Sequence, residues 1–232
     1  MHIITGLTVG GAERVVLELL YSNSESTTLV VIQQQMPLLK AYSMPEFPLI
    51  GLDIISGHYR SYVIGIKKLW YAIRAENLEI IHAHLYHGLI VGLLCKILKP
   101  SVKLVFTLHS SITNSWFRAL VLFLSRPLRS ADLIFSAQQQ RWFNAPQSVV
   151  IPNGIPLDHF TYQKRKKSTT WKFLFAGRLI TAKNPVGLIQ SLSELSHLDF
   201  KLDLLGEGPL LDDCKALIDQ LDLAHKVKLW GN

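Results

Sequence analysis

Residues 79–109 read EIIHAHLYHGLIVGLLCKILKPSVKLVFTLH, and the fold is decided in that stretch. Residues 79–82 are a short apolar run that predicts a strand, and residues 88–98 are an apolar segment long enough for a helix. Pro100 ends the helix, because it has no N–H to continue it. Residues 103–108, Lys-Leu-Val-Phe-Thr-Leu, predict a second strand. A strand, a helix and another strand in succession make one crossover unit with parallel strands. Toward the amino terminus, residues 2–5 and 28–32 predict strands, residues 12–21 and 62–76 helices. Toward the carboxyl terminus, a helix is expected over 115–124 and strands over 133–136 and 149–151. Strands buried on both faces and alternating with helices predict a parallel sheet covered on both sides, a doubly wound α/β architecture.

The alternation pauses at Pro152, Asn153, Gly154 and Pro156, all turn formers, and a basic polar stretch follows at 164–167. A fresh cycle then begins: strand 172–175, helix 186–195, strand 201–205, helix 209–221 and strand 227–229. Two Rossmann-like domains are therefore expected, over residues 1–163 and 164–232. The second holds few strands for an open sheet and is expected to be incomplete.

Of the 232 residues, 49% are hydrophobic, enough to bury a sizeable core. The longest apolar runs, 89–98 and 119–124, fall short of the ~20 residues that cross a bilayer. Gly10, Gly11, Glu13 and Arg14 interrupt what a signal peptide would need to be an apolar stretch. Cys95 and Cys214 lie in separate periodic segments and suggest no disulfide framework. These features point to a cytoplasmic protein. The net charge is +7, with 15 Lys and Arg against 9 Asp and Glu in residues 1–165, and 9 against 8 in the remainder. A basic first domain suits an anionic partner such as ligand phosphates or acidic headgroups. No nucleic-acid-reading motif accompanies the charge, so nucleic acid is not expected.

Several strings sit where open α/β sheets bind ligands, beyond the carboxyl ends of strands. Gly10-Gly11-Ala12-Glu13 joins the first strand to its helix. It is read either as an anion site, with glycines allowing positive φ and close approach, or as a tight turn. His109 ends strand 103–108 ahead of Ser110 and Ser111. It is read either as a group that holds or moves a proton, or as a structural hydrogen bonder. His82, His84 and His87 are a denser group; imidazole suits zinc, but no carboxylate or cysteine completes a site, and a polar patch is the expectation. Arg178 and Lys183, in Gly177-Arg178-Leu179-Ile180-Thr181-Ala182-Lys183-Asn184, fit a diphosphate clamp between a strand end and a helix start. Gly206-Glu207-Gly208-Pro209 is read either as a place for a ribose or base, or as a strand-to-helix turn.

Taken in order, Gly10-Gly11-Ala12-Glu13, the 80–84 run, Thr107-Leu108-His109, Ile151-Pro152-Asn153-Gly154-Ile155, Gly177-Arg178-Leu179 with Lys183-Asn184, and Gly206-Glu207-Gly208-Pro209 resemble family 4 glycosyltransferases of the GT-B fold. The resemblance spans nearly the whole chain. It implies transfer of a hexose from a nucleotide diphospho-sugar, UDP- or GDP-linked, with retention of configuration and with no metal or other cofactor. Family members place the donor in the second domain and the acceptor, a saccharide or lipid-linked sugar of surface polysaccharide or lipopolysaccharide synthesis, in the first. Arg178 and Lys183 would then hold the diphosphate and stabilise the leaving group. Gly10 and Gly11 would face the phosphates or the sugar, His109 the donor sugar near the reaction centre, and Glu207 and Gly208 the nucleoside. The family's paired-glutamate element, E-x7-E, is expected beyond Asn232.

Residues 116–129 add Trp116, Phe117, Leu120, Phe123 and Leu124, with Arg118, Arg126 and Arg129 nearby. This basic, aromatic helix is read either as packed on the sheet or as resting on an anionic membrane, at the inner face of the cell membrane. Two other functions share the pattern: a non-catalytic nucleotide-binding or interaction fragment, and a nucleotide-sugar epimerase of the same fold.

Overall fold

The computed structural model describes residues 1–8, 10–22, 27–33, 47–75, 78–109, 115–155, 157, 161–162 and 168–231. Glu76, Ser110, Ser111, Pro156, the basic stretch 164–167 and Asn232 lie outside the described residues, as does the boundary expected between 163 and 164. The chain divides into two compact units, Met1–Leu157 and Asp158–Asn232.

The first unit carries strands β1 (His2–Ile4), β2 (Leu29–Val31), β3 (Leu49–Gly51), β4 (Ile80–His84), β5 (Lys103–Thr107), β6 (Ala131–Ile134) and β7 (Ser148–Val150). They form one parallel sheet in the order β3-β2-β1-β4-β5-β6-β7. Its helices are α1 (Gly11–Ser22), α2 (Tyr59–Ala75), α3 (Leu85–Leu98) and α4 (Trp116–Leu124). Strand order reverses between β1 and β4: from β1 the chain steps to β2 and β3, then returns to β4 and continues the other way. Right-handed crossovers in opposite directions along a sheet put their helices on opposite faces. The cores show this. Ile4, Leu29 and Val31 pack with Val16, Leu17 and Leu20 of α1 on one face. Ile3, Ile81, Ala83, Leu104 and Phe106 pack with α2, α3 and α4 on the other.

Strand β3 is not expected from the sequence, and β4 runs on through His84 so that α3 opens at Leu85, three residues ahead of the expected start. Gly88 is the reason α3 can begin so close to the sheet: a Cβ there would stand 2.8 Å from the Ile3 carbonyl oxygen. Among the described residues, no helix is long and apolar enough to cross a membrane.

Behind α4, Arg129 turns inward rather than joining a basic helix face. Its guanidinium donates to Asp132 Oδ2 at 2.6 Å and to the carbonyls of Leu122 and Phe143 at 2.6 and 2.7 Å. Asp132 Oδ2 also accepts from Ala145 N at 2.8 Å. Both charges are fully buried, which is tolerable only with this many hydrogen bonds around them.

The second unit has strands β8 (Trp171–Ala176), β9 (Phe200–Leu205) and β10 (Val227–Gly231), parallel in the order β10-β9-β8, with helices α5 (Pro185–Ser193) and α6 (Leu211–Gln220). Leu179, Ile189, Leu192, Phe200, Leu202, Leu204, Cys214 and Ile218 form its core. Cys95 and Cys214 are both buried free thiols, one in each unit.

Candidate functional site

In a parallel sheet every strand ends on the same edge, and the candidate residues gather on the carboxyl edges of the two sheets. In the first unit, the reversal between β1 and β4 opens a crevice where open α/β sheets place ligands. Gly10 and Gly11 follow β1 there. Gly11 does not adopt a positive φ, so conformational freedom is not why it is a glycine. The space a Cβ would take at Gly10 is filled by the Glu13 carboxylate, 2.4 Å away. That carboxylate accepts from Thr8 Oγ1 at 3.0 Å, an acid at the positive end of α1. Gly11 faces open space, with no atom of the described residues within 4 Å of a built Cβ, and is the position of the pair at which a ligand can approach the backbone.

Four histidines lie close together beside this crevice, His2 at the start of β1, His82 and His84 on β4, and His109 two residues past β5. His2 on β1 and His82 on β4 are register partners, and His84 follows two residues on, so all three project to the α1 face. His2 Nδ1 is 2.9 Å from His84 Nε2, His84 Nδ1 is 2.9 Å from His109 Nε2, and His82 Nε2 is 2.8 Å from Thr107 Oγ1. Burial pushes every one of these imidazoles toward its neutral form. His2 falls to about 4, helped by the amino-terminal charge. His82 falls to about 3, helped by His2 and His109. His84 lies well below its ordinary value, through burial and then its three neighbours. His109 falls to about 4 through burial. His2, His82 and His84 are also the one group among the described residues whose nitrogens or oxygens could converge on a cation, all within 4.8 Å of one another.

The grouping differs from the sequence expectation. His87 does not join His82 and His84; α3 turns it out to the surface, beside the Tyr86 ring. His2 and His109 take its place, because β1, β4 and β5 are neighbours in space. The signal available in the sequence was parity: His2 two residues from Ile4, and His82 two from His84, on strands of a common sheet. His109 itself has φ 64, a left-handed backbone unusual for a side-chain-bearing residue. Such strain persists only where surroundings enforce it, and it concentrates at functional sites.

In the second unit, the loop after β8 carries Arg178 and Lys183, both exposed and neither in an ion pair among the described residues. Lys183 closes a turn of 3-10 helix over Thr181–Lys183. Asn184 then caps α5, its side chain accepting from Gly187 N at 3.2 Å, with Pro185 in the first helical position. The loop after β9 lies directly against this one. Leu179 N donates to the Glu207 carbonyl at 2.9 Å, and Leu210 N to the Leu179 carbonyl at 3.1 Å. A Cβ at Gly206 (φ 135) would stand 2.0 Å from the Gly177 carbonyl oxygen, and one at Gly208 would stand 2.4 Å from that of Leu179. The glycines thus serve backbone-to-backbone packing of the two loops, which leaves the exposed Glu207 side chain beside the loop that carries Arg178.

Two consecutive units of parallel α/β sheet make up the GT-B architecture, and solved structures share the fold. The Anabaena protein HepE in complex with UDP and glucose superposes with a TM-score of 0.79 at 18% identity, over 99% of this chain and 68% of that one. The apo form of the lipopolysaccharide outer core galactosyltransferase WaaB superposes with a TM-score of 0.66 at 14% identity, over 100% of this chain and 68% of that one. The chain belongs to glycosyltransferase family 4: residues 9–159 match the profile of Glycosyltransferase Family 4, and residues 159–232 that of Glycosyl transferases group 1. A curated relative from Campylobacter jejuni is 26% identical over 98% of this chain and 68% of its own length. It is N-acetylgalactosamine-N,N'-diacetylbacillosaminyl-diphospho-undecaprenol 4-alpha-N-acetylgalactosaminyltransferase.

Proposed function

We propose that the chain transfers a hexosyl group, with retention at the anomeric carbon, from a UDP- or GDP-linked sugar to a saccharide or lipid-linked acceptor in surface polysaccharide synthesis. The observation that carries this reading is the pair Arg178 and Lys183, two exposed cations without carboxylate partners among the described residues, on one loop at the carboxyl edge of a parallel sheet. As the bond from sugar to diphosphate breaks, negative charge grows on the phosphate oxygens. Fixed cations already in place stabilise that charge without reorganisation and without a metal. Arg178 offers a planar fork for two oxygens, and Lys183 a compact point charge. Glu207 and Gly208, on the loop laced to theirs, receive the nucleoside. In the first unit, His109 meets the transferring sugar, and Gly10 and Gly11 face the phosphates or that sugar.

The relatives support the substrate classes. HepE was crystallised with UDP, and the Campylobacter enzyme is named for an acceptor on diphospho-undecaprenol. In this reading a nucleotide-sugar donor and a lipid-borne acceptor meet at the cytoplasmic side of the cell membrane, with the exposed aromatic face of α4 against anionic headgroups.

A donor panel of UDP- and GDP-linked hexoses and N-acetylhexosamines, offered with a lipid-diphosphate-linked acceptor, tests the reading. One donor is expected to give acceptor-dependent product, and Arg178→Ala to lower kcat by about 10²–10³-fold, the usual cost of losing one transition-state donor. Unchanged transfer by Arg178→Ala overturns the clamp. Donor turnover without acceptor marks an epimerase, and nucleotide binding with no turnover marks a binding-only chain.

A further inference from the structure

His2 on β1, His84 on β4 and His109, two residues past β5, are brought together, and their rings form a chain. The ring centroids are 5.2 Å apart at each step. His84, in the middle, is fully buried and has both nitrogens engaged, Nε2 with His2 and Nδ1 with His109. A neutral imidazole owns one N–H and one lone pair. His84 therefore donates in one direction and accepts from the other, and only two arrangements satisfy all three rings. In one, His109 Nε2–H donates to His84 Nδ1 and His84 Nε2–H donates to His2 Nδ1. All three protons then sit on Nε2, and His109 presents a bare lone pair at Nδ1. In the other, His2 Nδ1–H donates to His84 Nε2 and His84 Nδ1–H donates to His109 Nε2. All three protons then sit on Nδ1, and His109 presents an N–H there.

No ring can reverse alone. A single reversal sets two hydrogens or two lone pairs against each other at 2.9 Å, beside a ring that water does not reach. An imidazolium, with two N–H groups, would break the alternation, and burial disfavours that form at each of the three positions. His82 stands outside the chain. Its Nε2 is engaged with Thr107, and its ring, 3.9 Å from that of His84 between centroids, packs His84 in place.

We propose that His84 and His2 are positioning residues for His109: through this chain of imidazoles they set its tautomer, and so decide whether Nδ1 of His109 offers a lone pair or an N–H. The consequence for catalysis rests on the proposed place of His109 at the donor sugar. There an N–H suits oxygens that only accept, such as the sugar ring oxygen or a phosphate oxygen, and a lone pair suits a hydroxyl that donates.

The test uses the 232-residue chain with ¹⁵N-labelled histidine, in which long-range ¹H–¹⁵N spectra report the tautomer of each ring at pH 7. Wild type is expected to show one shared tautomer at positions 2, 84 and 109. His2→Phe, which removes no bond made by His109, is expected to shift the tautomer ratio of His109 by about fivefold or more, since an unpaired buried group has to be accommodated. For His84→Phe, kcat of transfer is expected to fall about tenfold with donor KM little changed. His84→Asn, whose amide can still reach the His109 ring, is expected to recover part of the loss. If His84→Phe does not fold, His2→Phe and His84→Asn carry the test. Opposite tautomers within the wild-type chain, or a His109 ratio unmoved by His2→Phe, would overturn the proposal. So would one equivalent of zinc bound by the purified chain and lost in His84→Asn. A shifted tautomer with unchanged kcat leaves the coupling standing and removes His109 from the donor sugar instead.

Discussion

Gly206 and Gly11 show how differently two glycines of one protein are constrained. At Gly206 the backbone has φ 135 and the missing Cβ would lie 2.0 Å from a carbonyl oxygen, whereas at Gly11 a Cβ meets nothing among the described residues within 4 Å. Gly206→Ala is expected to push the loop bearing Arg178 away and to cost about 1–3 kcal/mol of stability, read as a lower thermal midpoint together with weaker UDP binding. Gly11→Ala is expected to leave the midpoint unchanged, within about 0.5 kcal/mol. Equal effects of the two substitutions would contradict the loop packing. The sequence showed both glycine strings but not this contrast. Gly206-Glu207-Gly208 looks like any strand-to-helix turn until the neighbouring loop, which begins at Gly177, is known to lie against it.

Among the elements, α4 departs most from ordinary surface chemistry. Only Ala119 and Leu122 are buried, while Trp116 is 78% exposed, Leu124 65%, and Phe117 and Phe123 are exposed as well. Arg118 is exposed, and Arg126 stands 5.2 Å above the Phe123 ring. If this face rests on a membrane, the chain should float with anionic vesicles at low salt, float less as salt screens the arginines, and lose binding in Trp116→Ser with Leu124→Ser. Failure to float with anionic vesicles removes the membrane contact. The helix was legible from its apolar spacing, but its third arginine was not: Arg129 lies beyond the helix and is committed to the buried Asp132. Elements were legible where periodicity ran long, as over 79–108. Strand β3 was not, because Leu49-Ile50-Gly51 is too short to alternate, and it is recognisable only by its pairing with β2.

For the whole molecule, the strand order was the illegible part. Linear sequence separates His2 from His84 by 82 positions, and only the reversal between β1 and β4 makes them neighbours. The resulting group of neutral imidazoles ties stability to pH. Each keeps a folded value below the ordinary 6.5. As pH falls below about 6.5 the unfolded chain takes up protons that the folded chain refuses. Stability from this source is therefore complete above that pH and is lost as pH falls toward 4, by about 1.4 kcal/mol per pH unit for each histidine that stays neutral. Urea unfolding at pH 7.5, 6 and 5 should show a steepening loss, and a flat profile would mean that the histidines protonate within the fold. The two loops of the second unit carry a further consequence, for descent. Because their main chains interlock, neither can be lengthened or reshaped without the other, so insertions there are expected to be rare or paired. Related proteins that diverge in donor preference would then do so by exchanging the outward side chains at positions such as 207, while the track beneath them is inherited whole.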